Sequence, residues 1–145
     1  MLFFVSVLFV TLLALAIIDL KTLQLPNILT LPLIVVGFGF SYLIRADLLA
    51  SLIGALLGYC GFALIEIGYR AIKGQDGLGR GDAKLLAVGG AWCGWFGLPF
   101  IILIASLFGL AHAVLLNLKH NEKIRVLPFG PHLAIGIALT WRVGV

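Results

Sequence analysis

The sequence predicts an all-α integral membrane protein with about six transmembrane helices, and two observations support that prediction. Of its 145 residues, 62% are hydrophobic and only 11% are charged, and the mean hydropathy is +1.18. A soluble domain of this length could not cover its core with so little polar surface, so we expect the surrounding solvent to be lipid. The apolar runs also lack the alternation of polar and apolar residues that a transmembrane barrel requires.

Six apolar stretches follow one another along the chain, and each is a candidate crossing because a bilayer core takes roughly 20 helical residues. They lie near residues 2–18, 28–44, 48–67, 84–95, 97–117 and 127–143. The fourth stretch is short and contains Gly89, Gly90 and Gly94, so a re-entrant segment is the alternative there. No extramembrane domain or polar linker interrupts the series, and we expect one membrane-embedded domain over residues 1–145.

Basic residues favour six full crossings over a re-entrant fourth stretch. With six crossings, one side of the membrane takes Lys21 and the basic residues of 70–84 and 119–125. The other side takes only Arg45 and Arg142. The positive-inside rule then places the basic side in the cytoplasm and both termini outside. We therefore attribute the net charge of +4 to topology and to contact with anionic lipid, and we expect no nucleic-acid partner.

Close helix packing is indicated by two small-residue patterns. Gly54 and Gly58 are four residues apart within the third stretch, and Gly90 and Gly94 repeat that spacing in the fourth. Small residues at this spacing let helices approach each other closely in a membrane. We predict packing within the chain rather than dimerisation.

Asp19 and Asp82 are the candidate catalytic residues. Asp19 ends the first stretch, and Asp82 closes the tetrapeptide Gly79-Arg80-Gly81-Asp82 just before the fourth. A carboxylate at a membrane boundary is costly to keep, which makes each one a functional candidate. The predicted topology gives both the same depth, on the assumption that the first and fourth helices are neighbours. The alternative for Asp82 is a residue that caps the following helix from a glycine-rich interfacial loop.

Four segments resemble motifs of the bacterial type IV prepilin peptidases. The block from Gly79 to Asp82, with Gly90-Ala91-Trp92 after it, is similar to their Gly-x-Gly-Asp catalytic motif. The run from Asp19 to Pro26, an Asp followed seven residues later by Pro, is similar to their first catalytic motif. Leu31-Pro32-Leu33 resembles the run that follows it, and Pro128-Phe129-Gly130-Pro131 resembles a late Pro-x-Gly-Pro element.

This resemblance implies an aspartic endopeptidase of the bacterial cytoplasmic (inner) membrane. Its substrates would be type IV prepilins or pseudopilins, cleaved after a glycine on the cytoplasmic side, and Asp19 and Asp82 would be catalytic. The candidates for substrate binding or loop positioning are Gly79, Gly81, Pro128, Gly130 and Pro131. For the last three, the alternative is a turn that begins the final helix, since Pro is favoured in a first helical turn.

The cysteines and histidines indicate whether the chain is expected to bind a metal or to have N-methyltransferase activity. Many relatives carry paired Cys-x-x-Cys motifs associated with N-methylating the cleaved pilin. Here only Cys60 and Cys93 occur, and we interpret both as packing residues, so N-methyltransferase activity is not expected. We expect no metal and no cofactor, because His112, His120 and His132 lack a metal-ligand spacing. Of the three, only His112 is predicted to be a buried hydrogen-bonding residue.

Two carboxyl groups in a poorly solvated site cannot both ionise, so such a pair shares a proton near neutrality. The ionised member would take a proton from water while the protonated member hydrogen-bonds the scissile carbonyl. The sequence does not assign the two roles. For Lys21 and Lys84, two positions beyond each Asp, lipid phosphate is the expected partner.

The alternative function is a small proton-coupled transporter that uses Asp19 and Asp82 as proton relays. It predicts deeper carboxylates and polar residues that continue toward the outer face. The outer halves of the predicted helices are apolar apart from small residues, which favours the peptidase.

Overall fold

The computed structural model describes residues 1–74, 79–120 and 127–144, with only the backbone of residues 80 and 120. Asp76, Lys123 and Arg125, which contribute to the predicted loops, lie outside these ranges. All regular structure within them is helical, which confirms the all-α prediction. The helices are α1 (Leu2–Thr22), α2 (Asn27–Phe40), α3 (Leu48–Lys73), α4 (Arg80–Cys93), α5 (Gly97–His120) and α6 (Gly130–Val143), and a π-helical turn, Ser41–Arg45, extends α2.

Four helical segments of the described chain are long and apolar enough to cross a membrane. They are Leu2–Thr22, Asn27–Arg45, Leu48–Lys73 and Gly97–Lys119. Helices α4 and α6 have 14 residues each. At 1.5 Å per residue each is about 21 Å long, which is shorter than a bilayer core. Six crossings therefore stay a prediction.

Two predicted boundaries were wrong, both at the start of a helix. Helix α4 begins at Arg80 rather than near residue 84, because its polar first turn lies ahead of the apolar run. Gly79 is therefore the N-cap, and Asp82 lies in the first turn instead of capping the helix. The last stretch, predicted from residue 127, becomes helical only at Gly130, with Pro131 in the first turn where its missing N–H costs nothing.

Helix α4 lies at the centre of the bundle, where it packs against α2, α3, α5 and α6. Every residue from Leu85 to Cys93 is buried. A Cβ on Gly54 would come within 2.6 Å of the Gly90 carbonyl oxygen, and one on Gly58 within 2.7 Å of the Leu86 carbonyl oxygen. The prediction that these glycines serve packing within the chain is thus confirmed.

Trp92 anchors the far end of α4 to α2. Its indole Nε1 donates a hydrogen bond to the Leu33 carbonyl oxygen at 2.9 Å, and its ring stacks on Phe40 with centroids 5.2 Å apart. Gly37 leaves room for the indole, since a Cβ there would lie 2.7 Å from Trp92 Cδ1. Next to Trp92, Cys93 is buried as predicted.

Cys60 does not match the packing prediction, because it is exposed on α3. The helix surfaces around it carry many exposed large apolar side chains, among them Leu56, Leu57 and Leu64. Such a surface is what a helix bundle surrounded by lipid presents, so exposure of a small apolar residue there has no cost.

Helix contacts define two ends of the bundle. At the aspartate end, where Asp19 and Asp82 lie, the start of α6 meets the end of α1. At the opposite end, Arg45 donates to the Trp92 carbonyl oxygen at 3.0 Å, and the Ser41 hydroxyl donates to the Ala91 carbonyl oxygen at 3.3 Å. The last turn of α4 is thereby tied to both ends of the α2 extension.

The packing of α4 on α3 generates a stability prediction with a matched control on one helix. Gly54→Ala should lower the free energy of unfolding by about 1–3 kcal/mol, because the new methyl meets the α4 backbone. Gly61→Ala, with nothing within 4 Å of its added Cβ, should be neutral or slightly stabilising. Thermal unfolding in detergent checks both, and equal midpoints for the two variants would contradict this packing.

Candidate active site

Asp19 is a buried carboxylate in the last turn of α1, with 5% of its surface exposed. The helix ends at Leu23, which adopts a left-handed conformation (φ 54°) and donates its N–H to the Asp19 carbonyl oxygen at 2.9 Å. The negative end of a helix dipole disfavours a carboxylate there, and burial adds to the cost. Asp19 therefore needs a compensating donor from elsewhere in the chain.

That donor is the backbone N–H of Gly130, which lies 3.0 Å from Asp19 Oδ2. Gly130 is the first residue of α6, where backbone N–H groups have no partner within the helix and the dipole favours negative charge. A Cβ on Gly130 would lie 2.7 Å from Asp19 Cγ, so only glycine permits this approach. The segment from Pro128 to Pro131 is thus the start of a helix and, at the same time, a carboxylate-binding element.

Asp82 lies in the first turn of α4, before the apolar stretch and outside the four candidate spans. Burial raises its pKa to about 7, and the charge of Asp19 adds to the rise. The two carboxyl groups are therefore electrostatic neighbours. Their helices reach this arrangement through shared partners, since both α1 and α4 pack against α2 and α6.

The two glycines before Asp82 differ in what surrounds them. A Cβ on Gly81 would lie 3.0 Å from Leu25 Cβ, so the chain between α1 and α2 packs closely against this residue. A Cβ on Gly79 would lie 3.8 Å from Asp82 Oδ2, which is an ordinary contact, and the φ of Gly79 is −70°. Close packing thus explains a glycine at position 81 but not at position 79.

Lys84 has a partner that the sequence did not predict. Its Nζ donates to the side-chain oxygen of Asn27, the first residue of α2, rather than relying on lipid phosphate alone. This contact joins the starts of α2 and α4 directly beside the Asp82 turn. Sequence position was the available indication of this contact. Asn27 directly follows Pro26 of the first motif, and Lys84 lies two residues after Asp82 of the second motif.

The histidine prediction was incomplete. His132 is 6% exposed, and its Nε2 lies 3.1 Å from His112 Nδ1, so both residues are hydrogen-bonded. In the sequence, only the position of His132 two residues after Gly130 indicated that it lies near the site. Within the ranges that the structure describes, no three His, Cys, Asp or Glu side chains are grouped as metal ligands would be.

Comparison with known proteins identifies the family. Residues 6–114 match the model of the type IV leader peptidase family, which is most of the chain. The chain belongs to this family. The predicted family is thereby confirmed. Asp19 and Asp82 lie within the matched residues, whereas the element from Pro128 to Pro131 lies beyond them.

Curated relatives of this family member are prepilin leader peptidase/N-methyltransferases. The protein from Escherichia coli K12 is 43% identical over 125 residues, which cover 86% of this chain and 56% of the relative. The Aeromonas salmonicida A449 protein is 41% identical over 137 residues, and the Pseudomonas aeruginosa protein is 40% identical over 134; each alignment covers 90% of this chain and 46% of the relative. The chain thus spans about half the length of these relatives. No solved structure matches it.

The site predicts how Asp82 titrates. In the wild-type protein its carboxyl group should titrate near pH 7, because burial and the Asp19 charge both disfavour ionisation. Replacing Asp19 by Asn should lower the Asp82 pKa but leave it above 3.8, because burial, the larger cause, remains. Carboxyl ¹³C NMR of the protein in detergent measures both values. A wild-type Asp82 that titrates near pH 4 would contradict the site.

Proposed function

We propose that this chain is an aspartic endopeptidase that removes the leader peptide of type IV prepilins or pseudopilins. The observation that carries the proposal is the pair of neighbouring carboxyl groups, Asp19 and Asp82, at one end of the helix bundle in a member of the type IV leader peptidase family. The relatives named prepilin leader peptidase share 40–43% of the aligned residues with this chain.

The surroundings of the two aspartates support different roles for them. Burial disfavours the charge of Asp19, and the Gly130 N–H opposes that effect by donating a hydrogen bond to the ionised form, which is the form of a general base. Asp82, with a pKa of about 7, keeps its proton on a large share of molecules at neutral pH. We therefore assign Asp19 as the base that takes a proton from water, and Asp82 as the acid that hydrogen-bonds the scissile carbonyl.

The reaction then needs no covalent intermediate on the enzyme. The oxygen of the activated water bonds to the carbonyl carbon while Asp82 stabilises the developing oxyanion. The C–N bond breaks as the leaving amine takes the proton that Asp19 received. The products are the carboxylic acid of the leader and the amine of the mature pilin, which become a carboxylate and an ammonium group when the acid passes its proton to the amine, and Asp82 and Asp19 regain their starting states.

Charge distribution supports a cytoplasmic location for the aspartate end. Lys21, Lys73, Lys84 and Lys119 lie at helix ends on that side, whereas Arg45 lies at the opposite end. By the positive-inside rule, this distribution supports our proposal that both termini lie outside and that all six helices cross the inner membrane as one peptidase domain. Burial of α4 among four other helices supports this in spite of its length, because such a helix need not match the bilayer by itself.

The expected partners are prepilin-type precursors and membrane lipid, without nucleic acid, metal or cofactor. We do not propose N-methyltransferase activity for this chain, since its two cysteines cannot supply paired Cys-x-x-Cys motifs. The positions of the aspartates in the terminal turns of α1 and α4 give no support to the transporter, which requires carboxylates deeper in the bundle.

Cleavage of a prepilin-type precursor tests the proposal. The precursor and the protein are co-reconstituted in liposomes, and mass analysis of the new amino terminus should show a cut after the leader glycine. Asp19→Asn and Asp82→Asn should each reduce the rate by about 10²–10⁴-fold, since each removes one proton-transfer group. The matched control is Asp47→Asn at the opposite end, where Asp47 accepts the Ala50 N–H as the cap of α3 and Asn can do the same.

The control should cleave at the wild-type rate. Retained cleavage in either Asp19→Asn or Asp82→Asn would contradict the two-carboxylate mechanism. Failure of the wild-type protein to cut several folded precursors would contradict the function itself.

A further inference from the structure

Two histidines on different helices meet beside the Asp19 site. His112 Nδ1 on α5 lies 3.1 Å from His132 Nε2 on α6. The other ring nitrogen of His132, Nδ1, lies 3.1 Å from the carbonyl oxygen of Pro128. His132 is also within electrostatic reach of Asp19. A chain of hydrogen bonds therefore runs from α5 to the residue two positions before Gly130.

The chemistry of the groups determines which atom donates and which accepts in each of these hydrogen bonds. A carbonyl oxygen only accepts, so His132 Nδ1 carries the hydrogen and donates to Pro128. In a neutral imidazole the other nitrogen is then an acceptor, which makes His112 Nδ1 the donor to His132 Nε2. Each histidine therefore has a defined tautomer.

A glycine on α5 provides a second, independent contact with the same segment. Gly109 lies three residues before His112, on the same face of the helix. A Cβ on Gly109 would come within 3.1 Å of Phe129 Cε2 and 4.0 Å of His132 Cγ. Helix α5 thus presents a space for the Phe129 ring and a hydrogen-bond donor for His132, one turn apart.

The segment needs such support because residues 127–129 precede α6 and are not helical. The Phe129 carbonyl oxygen, in the same peptide group as the Gly130 N–H, accepts the Leu133 N–H of α6 at 3.1 Å. The Pro128 carbonyl oxygen, in contrast, is held by the His132 side chain. The direction of the Gly130 N–H depends on both peptide groups. The contacts from α5 act on both sides of that N–H, at Phe129 and at His132.

We propose that His112 and His132 are positioning residues, which hold the Pro128 carbonyl so that the Gly130 N–H points at the Asp19 carboxylate. The inference rests on the proposed function and extends it to two side chains outside the aspartate motifs. Neither histidine is a catalytic residue in this scheme, because each acts through Pro128 and Gly130.

Two substitutions of His132 separate positioning from general structure. His132→Leu removes the donor to Pro128, whereas the amide of His132→Asn places an N–H close to the position of Nδ1. In the cleavage assay, kcat of His132→Leu should fall about 10–100-fold, since displaced catalytic groups lose rate steeply. KM should stay within about threefold, because the substrate contacts are unchanged.

His132→Asn should recover most of the lost kcat. His112→Leu should have a smaller effect than His132→Leu, since the bond to Pro128 remains. An unchanged kcat in His132→Leu, a loss confined to KM, or a His132→Asn variant as slow as His132→Leu would each overturn the proposal.

An NMR measurement tests the positioning role of His112 and His132 independently of the cleavage assay. If no precursor is cleaved but the NMR result is as expected, the proposed function is wrong and the positioning inference stands. In ¹⁵N-labelled protein in detergent, a scalar coupling should connect His112 Nδ1 and His132 Nε2. The Gly130 amide proton should shift in His132→Leu and keep its wild-type position in His132→Asn. Absence of the coupling, or a Gly130 amide that keeps its position in a folded His132→Leu variant, would overturn the proposal. If His132→Leu does not fold, the Gly130 amide of His112→Leu is measured instead, and an unshifted amide there would overturn the proposal.

Discussion

The site depends on one hydrogen bond, from the Gly130 N–H to the carboxylate of Asp19. Asp19 is buried at the end of α1, where the helix dipole opposes its charge, and hydrogen bonds to charged groups contribute about 1.5–3 kcal/mol. The start of α6 satisfies this charge with its own free N–H and its positive dipole end. This requirement explains why a glycine begins α6 and why that start meets the end of α1.

The position of the second carboxylate depends on packing at a distance from it. Helix α4 carries Asp82 in its first turn, and the rest of the helix is fixed by Gly54 and Gly58 on α3 and by the bond from Trp92 to Leu33. A short, buried helix held along its length can present its first turn reproducibly. Burial of that turn beside Asp19 then raises the pKa of Asp82 into the range where a carboxyl group acts as an acid at neutral pH.

Composition was sufficient to predict the helical class, because a chain this apolar has few other stable forms in lipid, and the motifs identified both aspartates. The partner of Asp19 was not predictable in the same way, since Gly130 is 111 residues away and contact between distant helices leaves no local pattern. The start of α4 was missed because its first turn is polar. Gly79 and Gly81 were predicted to have the same role because both belong to the motif. Their surroundings differ in the structure, where Leu25 packs closely against Gly81 but not against Gly79.

The most direct test of the central claim compares two glycine-to-alanine variants in the cleavage assay. Gly130→Ala places a methyl against the Asp19 carboxylate, whereas the methyl of Gly61→Ala on α3 meets nothing within 4 Å. We predict that Gly130→Ala lowers kcat about 10–100-fold while Gly61→Ala stays within about twofold of wild type, with thermal unfolding as the check that both fold. Equal kcat values for two folded variants would contradict the claim that the start of α6 holds the catalytic carboxylate.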